Sequence, residues 1–322
     1  MITKADFPTL TEELDSIFNE AAANKVTGMQ SHRIFNVFDT DKLTYDHLIL
    51  HGTSGIKRVA DGQDLPRINS EEGDTVSWTQ DYYGAIFSVT KKMRKFDLTD
   101  QIRQLPKTLV DDAFDKVEQS LADVLLNGFS ASDYVDVYGE TVSAVGPDGL
   151  ALFSTVHSNN INSNVFSNII TSNPALSRQA VITARSQART HKDPNGIKRS
   201  INLDTLIVPV ALEDLAERIL NSDLMPGSSY NDVNSLKGKV TTLIVWECLD
   251  TRTDGTDTSA YWFMADSSKV GESLQCLFAE RPTLDAPDEI YSNKNWDYSC
   301  DFYYAIGRGY PAYVFGSNAS GS

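Results

Sequence analysis

Asp148-Gly149-Leu150-Ala151-Leu152-Phe153-Ser154-Thr155-Val156-His157 is the run on which the reading of this chain turns. Gly146-Pro147 precedes it and Ser158-Asn159 follows, so turn-forming residues flank a short apolar stretch. Ser154, Thr155 and His157 together suggest a nucleophile with its base. Close neighbours on one strand cannot form that relay, because base and nucleophile must face each other across a site. The run is therefore a landmark of architecture and not of chemistry.

Upstream of it the spacing predicts an amphipathic helix over about 106–127, with Gly128 as its stop. Leu105, Leu109, Ala113, Val117, Leu121 and Val124/Leu125 recur every three to four residues, and Asp111, Asp112, Asp115, Glu118 and Asp123 hold the opposite face. Pro106 suits a first helical turn. At about 1.5 Å per residue the helix spans roughly 30 Å, enough to be the spine of a unit over 93–145. Before it, 44–92 reads as strand, turn, strand: Leu43–Leu50 leads in, and Thr75–Gln80 with Ala85–Thr90 leads out. Between them, Gly52 to Gly73 is rich in glycine and charge and offers little to bury. That is too long for an ordinary connection, and an isolated hairpin is marginal in water, so an extended loop lying on another chain is expected. Residues 1–43 form an arm with a short helix near 10–18. Thr11 is its N-cap and Leu14, Ile17 and Phe18 share a face, which must dock on its own subunit or on a neighbour. The candidate subunit-interface residues are Leu14 and Phe18 in the arm, and Lys57, Arg58, Asp61, Glu71, Glu72 and Trp78 in the loop.

Downstream, 146–290 alternates helix and strand. A helix is expected over Ser177–His191, broken by Lys192-Asp193-Pro194-Asn195-Gly196, and a second over Leu212–Asn221. Strands are expected at Thr205–Pro209, Lys239–Cys248, Tyr261–Asp266 and Leu274–Ala279. This is an α+β pattern around a central sheet. Residues 291–322 are aromatic and strand-like.

The 322 residues, 41% hydrophobic, suffice for a real core, and a net charge of −16 argues against a dedicated nucleic-acid binder. Cys248, Cys276 and Cys300 lack metal or disulfide spacing and sit in apolar runs, which suits a reducing cytoplasm. Nothing resembles a membrane span or a signal peptide. Phosphate-binding, dinucleotide and serine-hydrolase motifs are missing; Gly307-Arg308-Gly309 and Gly128-Phe129-Ser130-Ala131 are fragments only. His47 and His51 have helical metal-ligand spacing in a strand-like context, and Asp250–Asp257 places Arg252 among would-be calcium ligands. No catalytic residue, cofactor or metal is expected.

The run Gly146–Asn159, taken whole, resembles a segment of the major head subunits of Mu-like and related tailed phages. Asn173-Pro174-Ala175-Leu176-Ser177, Lys192–Gly196, Asp204–Pro209 with Leu212–Ala216, and Asn231–Asn234 with Leu236–Lys239 agree in order, covering nearly the whole chain. The resemblance implies the α+β Hong Kong 97 capsid fold: an N-terminal arm, an extended β-hairpin loop, a spine-helix peripheral domain, an axial domain at 146–290 and a C-terminal return to the peripheral domain at 291–322. It implies a non-enzymatic virion protein, assembled in the host cytoplasm as hexamers and pentamers into an icosahedral shell around DNA held without specific binding. A portal, a separate scaffolding protein and a decoration protein are the expected partners. Some relatives lock their shells through Lys–Asn bonds, but no motif marks Lys57, Asn293, Asn295 or Asn318 for this. The alternative is an encapsulin-like compartment shell of the same fold; a hydrolase or metal enzyme is the reading from another class.

Overall fold

The computed structural model describes residues 7–53, 56, 58–59, 61–65, 70–96, 100–157, 165–193, 196–223, 233–285, 288–289 and 294–321. The chain opens with α1 (Phe7–Gly28), followed by β1 (Asn36–Asp39), β2 (Thr44–Thr53), β3 (Ser70–Thr79), β4 (Asp81–Val89) and α2 (Lys91–Phe96). The long helix α3 (Gln101–Leu126) leads through β5 (Tyr134–Val135) and β6 (Thr141–Val142) to α4 (Arg178–Arg189). Then come β7 (Thr205–Val208), α5 (Glu213–Asn221), β8 (Thr242–Val245), β9 (Trp262–Ala265) and α6 (Val270–Ser273). The chain continues with β10 (Leu274–Leu284), β11 (Asp288–Glu289), β12 (Trp296–Arg308) and β13 (Val314–Ser317).

Two helices exceed their expected bounds. α1 begins at Phe7, so Thr11 lies inside the helix and is not its N-cap, and Ala21-Ala22-Ala23 prolongs the 10–18 stretch with the strongest helix former until Gly28 ends it. In α3, Gln101–Leu105 adds a turn ahead of Pro106, which therefore lies inside the helix. A proline there forfeits one backbone bond close to an end where N–H groups are already unpaired, and its buried ring packs instead. At about 1.5 Å per residue the 26 residues of α3 run roughly 39 Å. The face bearing Leu109, Ala113, Val117, Leu121 and Leu125 forms the largest core with the inner face of a five-stranded sheet. Phe18 joins that core, while Leu10 and Leu14 pack with Ile102, Val89 and Trp296. Ion pairs of Arg103 with Glu13 (2.7 Å) and Lys25 with Asp115 (2.8 Å) flank the α1–α3 contact.

The five-stranded sheet runs β1-β10-β12 with β4 on the far side of β12 and β11 at its start. Along β12 the even-numbered residues from Trp296 to Tyr304 are buried toward the helices, and the odd-numbered ones are half-exposed. A four-stranded sheet, β13-β9-β7-β8, carries the second core with α4 and α5. Its strands Thr205-Leu206-Ile207-Val208 and Trp262-Phe263-Met264-Ala265 are buried on both faces. Leu206, Val208 and Met264 face the α4/α5 core; Ile207, Phe263 and Ala265 face the α3 core.

Sheet membership corrects three boundaries drawn from the sequence. β4, placed in the 44–92 loop, pairs along its length with β12 in the five-stranded sheet. β10, placed in the 146–290 unit, pairs with β12 and β1 instead. The segment 291–322 divides: β12 belongs to the five-stranded sheet, and β13 returns to the four-stranded one beside β9. Alternation along a strand reports which face is buried and says nothing of which strand lies beside it.

Candidate assembly surfaces

The hairpin of β2 and β3 is anchored at its root. Trp78, 8% exposed, stacks on Tyr45 (centroids 6.1 Å apart) and on His47 (5.3 Å), and packs with Leu277 and Ala305. Its indole lies against Gly307, where an added Cβ would come within 2.9 Å of the ring, so this approach of hairpin to β12 requires glycine. Burial holds the His47 imidazole below its ordinary pKa despite the pull of Glu272, leaving a neutral ring in the stack. His47 lies on a strand, in line with its strand-like sequence context.

The residues chosen from the sequence divide into three groups. Arg58 and Asp61 are exposed. Lys57, and the side chains of Glu71 and Glu72 on β3, lie outside the described residues. Leu14, Phe18 and Trp78 are buried within their own chain, which corrects their choice as surface for a neighbour: the apolar face of α1 found α3 first.

Sequence reasoning missed other surfaces. Ile56 (96% exposed) and Leu65 (82%) stand in solvent between β2 and β3. On β4, Tyr82 and Ile86 (68%) project from the face opposite the core. A half-buried antiparallel strand should be polar there, so large apolar residues at both alternations of Tyr82–Val89 were the available signal. Val135, Val137 and Tyr138 form an exposed knuckle at β5–β6. Lys116 of α3 pins it, pairing with Asp136 and with Glu140 (3.2 Å) and lying 4.1 Å from the Tyr138 ring centroid. Burial pushes Asp136 up, but Lys116 and the N–H groups of Glu140 and Tyr138 outweigh it and hold the carboxyl below its usual range.

The Asp148–His157 run is a structural knot. His157 Nδ1 lies 2.6 Å from Asp148 Oδ2 and Nε2 lies 3.0 Å from Asn168 Oδ1. Asn168 Nδ2 donates to the carbonyls of Leu152 (2.7 Å), Pro311 (3.0 Å) and Val314 (3.2 Å), tying the run to β13. Phe153 fills the gap between Gly128 and Gly316, where a Cβ on either would meet its ring at 2.9 Å. Ser154 Oγ accepts from Val156 N–H at 3.2 Å and faces no base. A cavity of about 320 Å³ lies between Trp78, Asp123, Tyr134 and Arg308. Burial raises Asp123 there to about 6, against the Thr253 hydroxyl. Among the described residues no cluster of His, Cys, Asp and Glu could hold a metal, and no helix is long and apolar enough to cross a membrane. All three cysteines are free thiols.

A long helix packed on a sheet, a root-anchored hairpin, and large apolar side chains in solvent define a class of protein: a building subunit whose working parts are surfaces. Residues 73–315 match the family model of the phage capsid proteins, and the chain belongs to that family. No curated protein matches it. Among solved structures it is similar to the capsid of an empty GTA particle (10% identity, TM-score 0.54, covering 90% of this chain and 89% of that one). It is likewise similar to a chain of Mycobacterium phage Adephagia (10%, 0.51, 90% and 89%) and to the capsid of cyanophage P-SCSP1u (11%, 0.50, 88% and 86%). The fold is the Hong Kong 97-like α+β capsid fold, and the chain is a structural protein of the phage capsid family; a compartment shell of the same fold is not favoured.

Proposed function

We propose that copies of this chain form hexamers and pentamers that close into the icosahedral head of a tailed phage around double-stranded DNA. The kinship with Mu-like head subunits, read from Gly146–Asn159, belongs to this proposal. So do assembly in the host cytoplasm, the absence of enzymatic activity, and a portal, a separate scaffolding protein and a decoration protein as partners. The observation that carries it is the exposure of Ile56, Leu65 and Ile86 on a subunit of the capsid family whose cores are otherwise filled. Such residues gain stability when a neighbour covers them, at about 25 cal/mol per Å² of apolar surface. The net charge of −16 suits a wall that encloses DNA without adhering to it. Negative-stain electron microscopy and light scattering of the purified chain test this reading. Closed shells are expected; a monomer at every concentration, salt and scaffold condition tried refutes it.

A further inference from the structure

β4 runs between a basic helix at one end and an acidic stretch of sheet at the other, with Asp297 of β12 opposite Ser88 near the basic end. Immediately after β4, α2 carries Lys91, Lys92, Arg94 and Lys95 without an acidic residue, on a chain of net charge −16. Arg94 is occupied, its guanidinium 3.9 Å over the Trp296 ring. Lys91, Lys92 and Lys95 are exposed and make no ion pair among the described residues. Toward the other end of β4, the outer sheet face carries Glu280, Asp285 and Asp301. Gly84 pairs with Asp301 and Tyr82 with Tyr303, which in turn pairs with Glu280. Tyr82 donates to Asp301 Oδ2 at 3.1 Å, and the neighbouring Asp301 carboxyl holds Asp285 above its usual range. Arg281, the cation beside Glu280 in sequence, is committed to Asp39 at 2.9 Å. Among the described residues no cation pairs with Glu280, Asp285 or Asp301. Seven residues separate Gly84 from Lys91, roughly 23 Å at about 3.3 Å per residue, too far for the two surfaces to meet within one chain.

We infer that the α2 lysines of one copy dock on the Glu280–Asp285–Asp301 face of the next, in a head-to-tail contact between copies of this chain. The inference rests on the shell-forming reading above. Different patches meeting at a contact make it heterologous, and a heterologous contact that closes generates a ring, which is the symmetry a capsomer needs. Copies of so acidic a chain repel one another, so a basic patch facing an unneutralised acidic one is where attraction can overcome that repulsion. The exposed Tyr82 and Ile86 lie along the same acidic face and would be covered by the same contact.

The test is charge reversal at each end and then at both, in the full-length chain. Lys91→Glu with Lys92→Glu and Lys95→Glu makes one set, and Glu280→Lys with Asp285→Lys the other. Shell yield is followed by light scattering, and folding by circular dichroism. Each set alone is expected to raise the concentration needed for assembly about tenfold or more, and the chain carrying both to recover to within about threefold of the parent. Mixing the two singly reversed chains is expected to restore six-membered rings, in which the two alternate and every contact pairs opposite signs; a five-membered ring keeps one like-signed contact. Lys→Gln at the same three lysines gives a milder loss and serves should the Glu set misfold. The inference is overturned if the folded single sets assemble like the parent, or if the doubly reversed chain stays as defective as they are. It is equally overturned if shells form normally but the lysine variants lose enclosed DNA, for then α2 faces nucleic acid. A parent chain that builds no shell refutes the functional reading itself.

Discussion

Glu118→Ala is expected to free the N-terminal segment from α3. The Glu118 carboxylate is buried and accepts from the backbone N–H groups of Gln30 (3.0 Å) and Ser31 (3.1 Å) and from the fully buried Ser31 hydroxyl. Hydrogen bonds to a charged group contribute about 1.5–3 kcal/mol each, but three sharing one carboxylate do not add in full. A cavity of about 340 Å³ bordering Glu118, Gln30 and Trp246 lets water reach the abandoned donors, which lowers the cost. The net loss is then about 3 kcal/mol, a fall in melting temperature of roughly 4 °C for a chain of 322 residues. Glu118→Gln keeps the shape but not the charge and is expected to lose about half as much. Denaturant titration of unassembled protein measures the loss, and limited proteolysis should show cleavage within 7–30 before the rest of the chain. A Glu118→Ala protein within about 0.5 kcal/mol of the parent, or a Ser31→Ala/Glu118→Ala cycle with coupling below about 0.5 kcal/mol, would refute the anchoring.

Gly307→Ala drives a methyl into the Trp78 ring and is expected to cost about 1–3 kcal/mol and to shift tryptophan emission; an unchanged melt and spectrum would show that the hairpin root yields freely. Asp123 titrates at about 6 in the folded chain, above its unfolded value of 3.8, so its contribution is favourable below pH 4 and is lost as pH rises through 6. Asp123→Asn should therefore be more stable than the parent at pH 7.5, by about 1–3 kcal/mol, and equal to it near pH 4; a constant difference across that range would refute burial as the cause. Burial pushes the Cys276 and Cys300 thiols up to about 12, so neither should react with a disulfide reagent at pH 8 until the protein unfolds, and rapid labelling of either in the native chain would show that its core opens.

How much was legible depended on whether the deciding contact was local. α4 begins where Ser177 caps it, its hydroxyl accepting from Ala180 N–H at 3.1 Å, and a serine before an apolar periodicity signals that directly. β7 and β9 announced themselves as short runs apolar on both faces. The partner of a strand is a long-range fact. β1 lies parallel to β10, some 240 positions away, and no feature of Asn36-Val37-Phe38-Asp39 points there. For the same reason the apolar face of α1 was readable as buried, yet Leu14 and Phe18 could not be assigned to their own chain rather than to a neighbour. Tyr82 and Ile86 were readable in principle, because apolar residues at both alternations of a strand signal either a doubly buried strand or an uncovered face. The fold decided for the second.

The placement of β12 and β13 has a consequence for the order of events in the cell. β12 is an inner strand of one sheet and β13 an edge of the other, and both come late in the chain. On a ribosome adding about 5–20 residues per second, β4 is complete at residue 89 and waits roughly 10–40 s for Trp296, the start of its partner. Through that interval neither sheet is whole and the surfaces of β4 have no fixed geometry to offer. Until β12 is seated, β4 lacks the neighbour that fixes its two faces, so any contact that uses those faces must wait for the C-terminal strands.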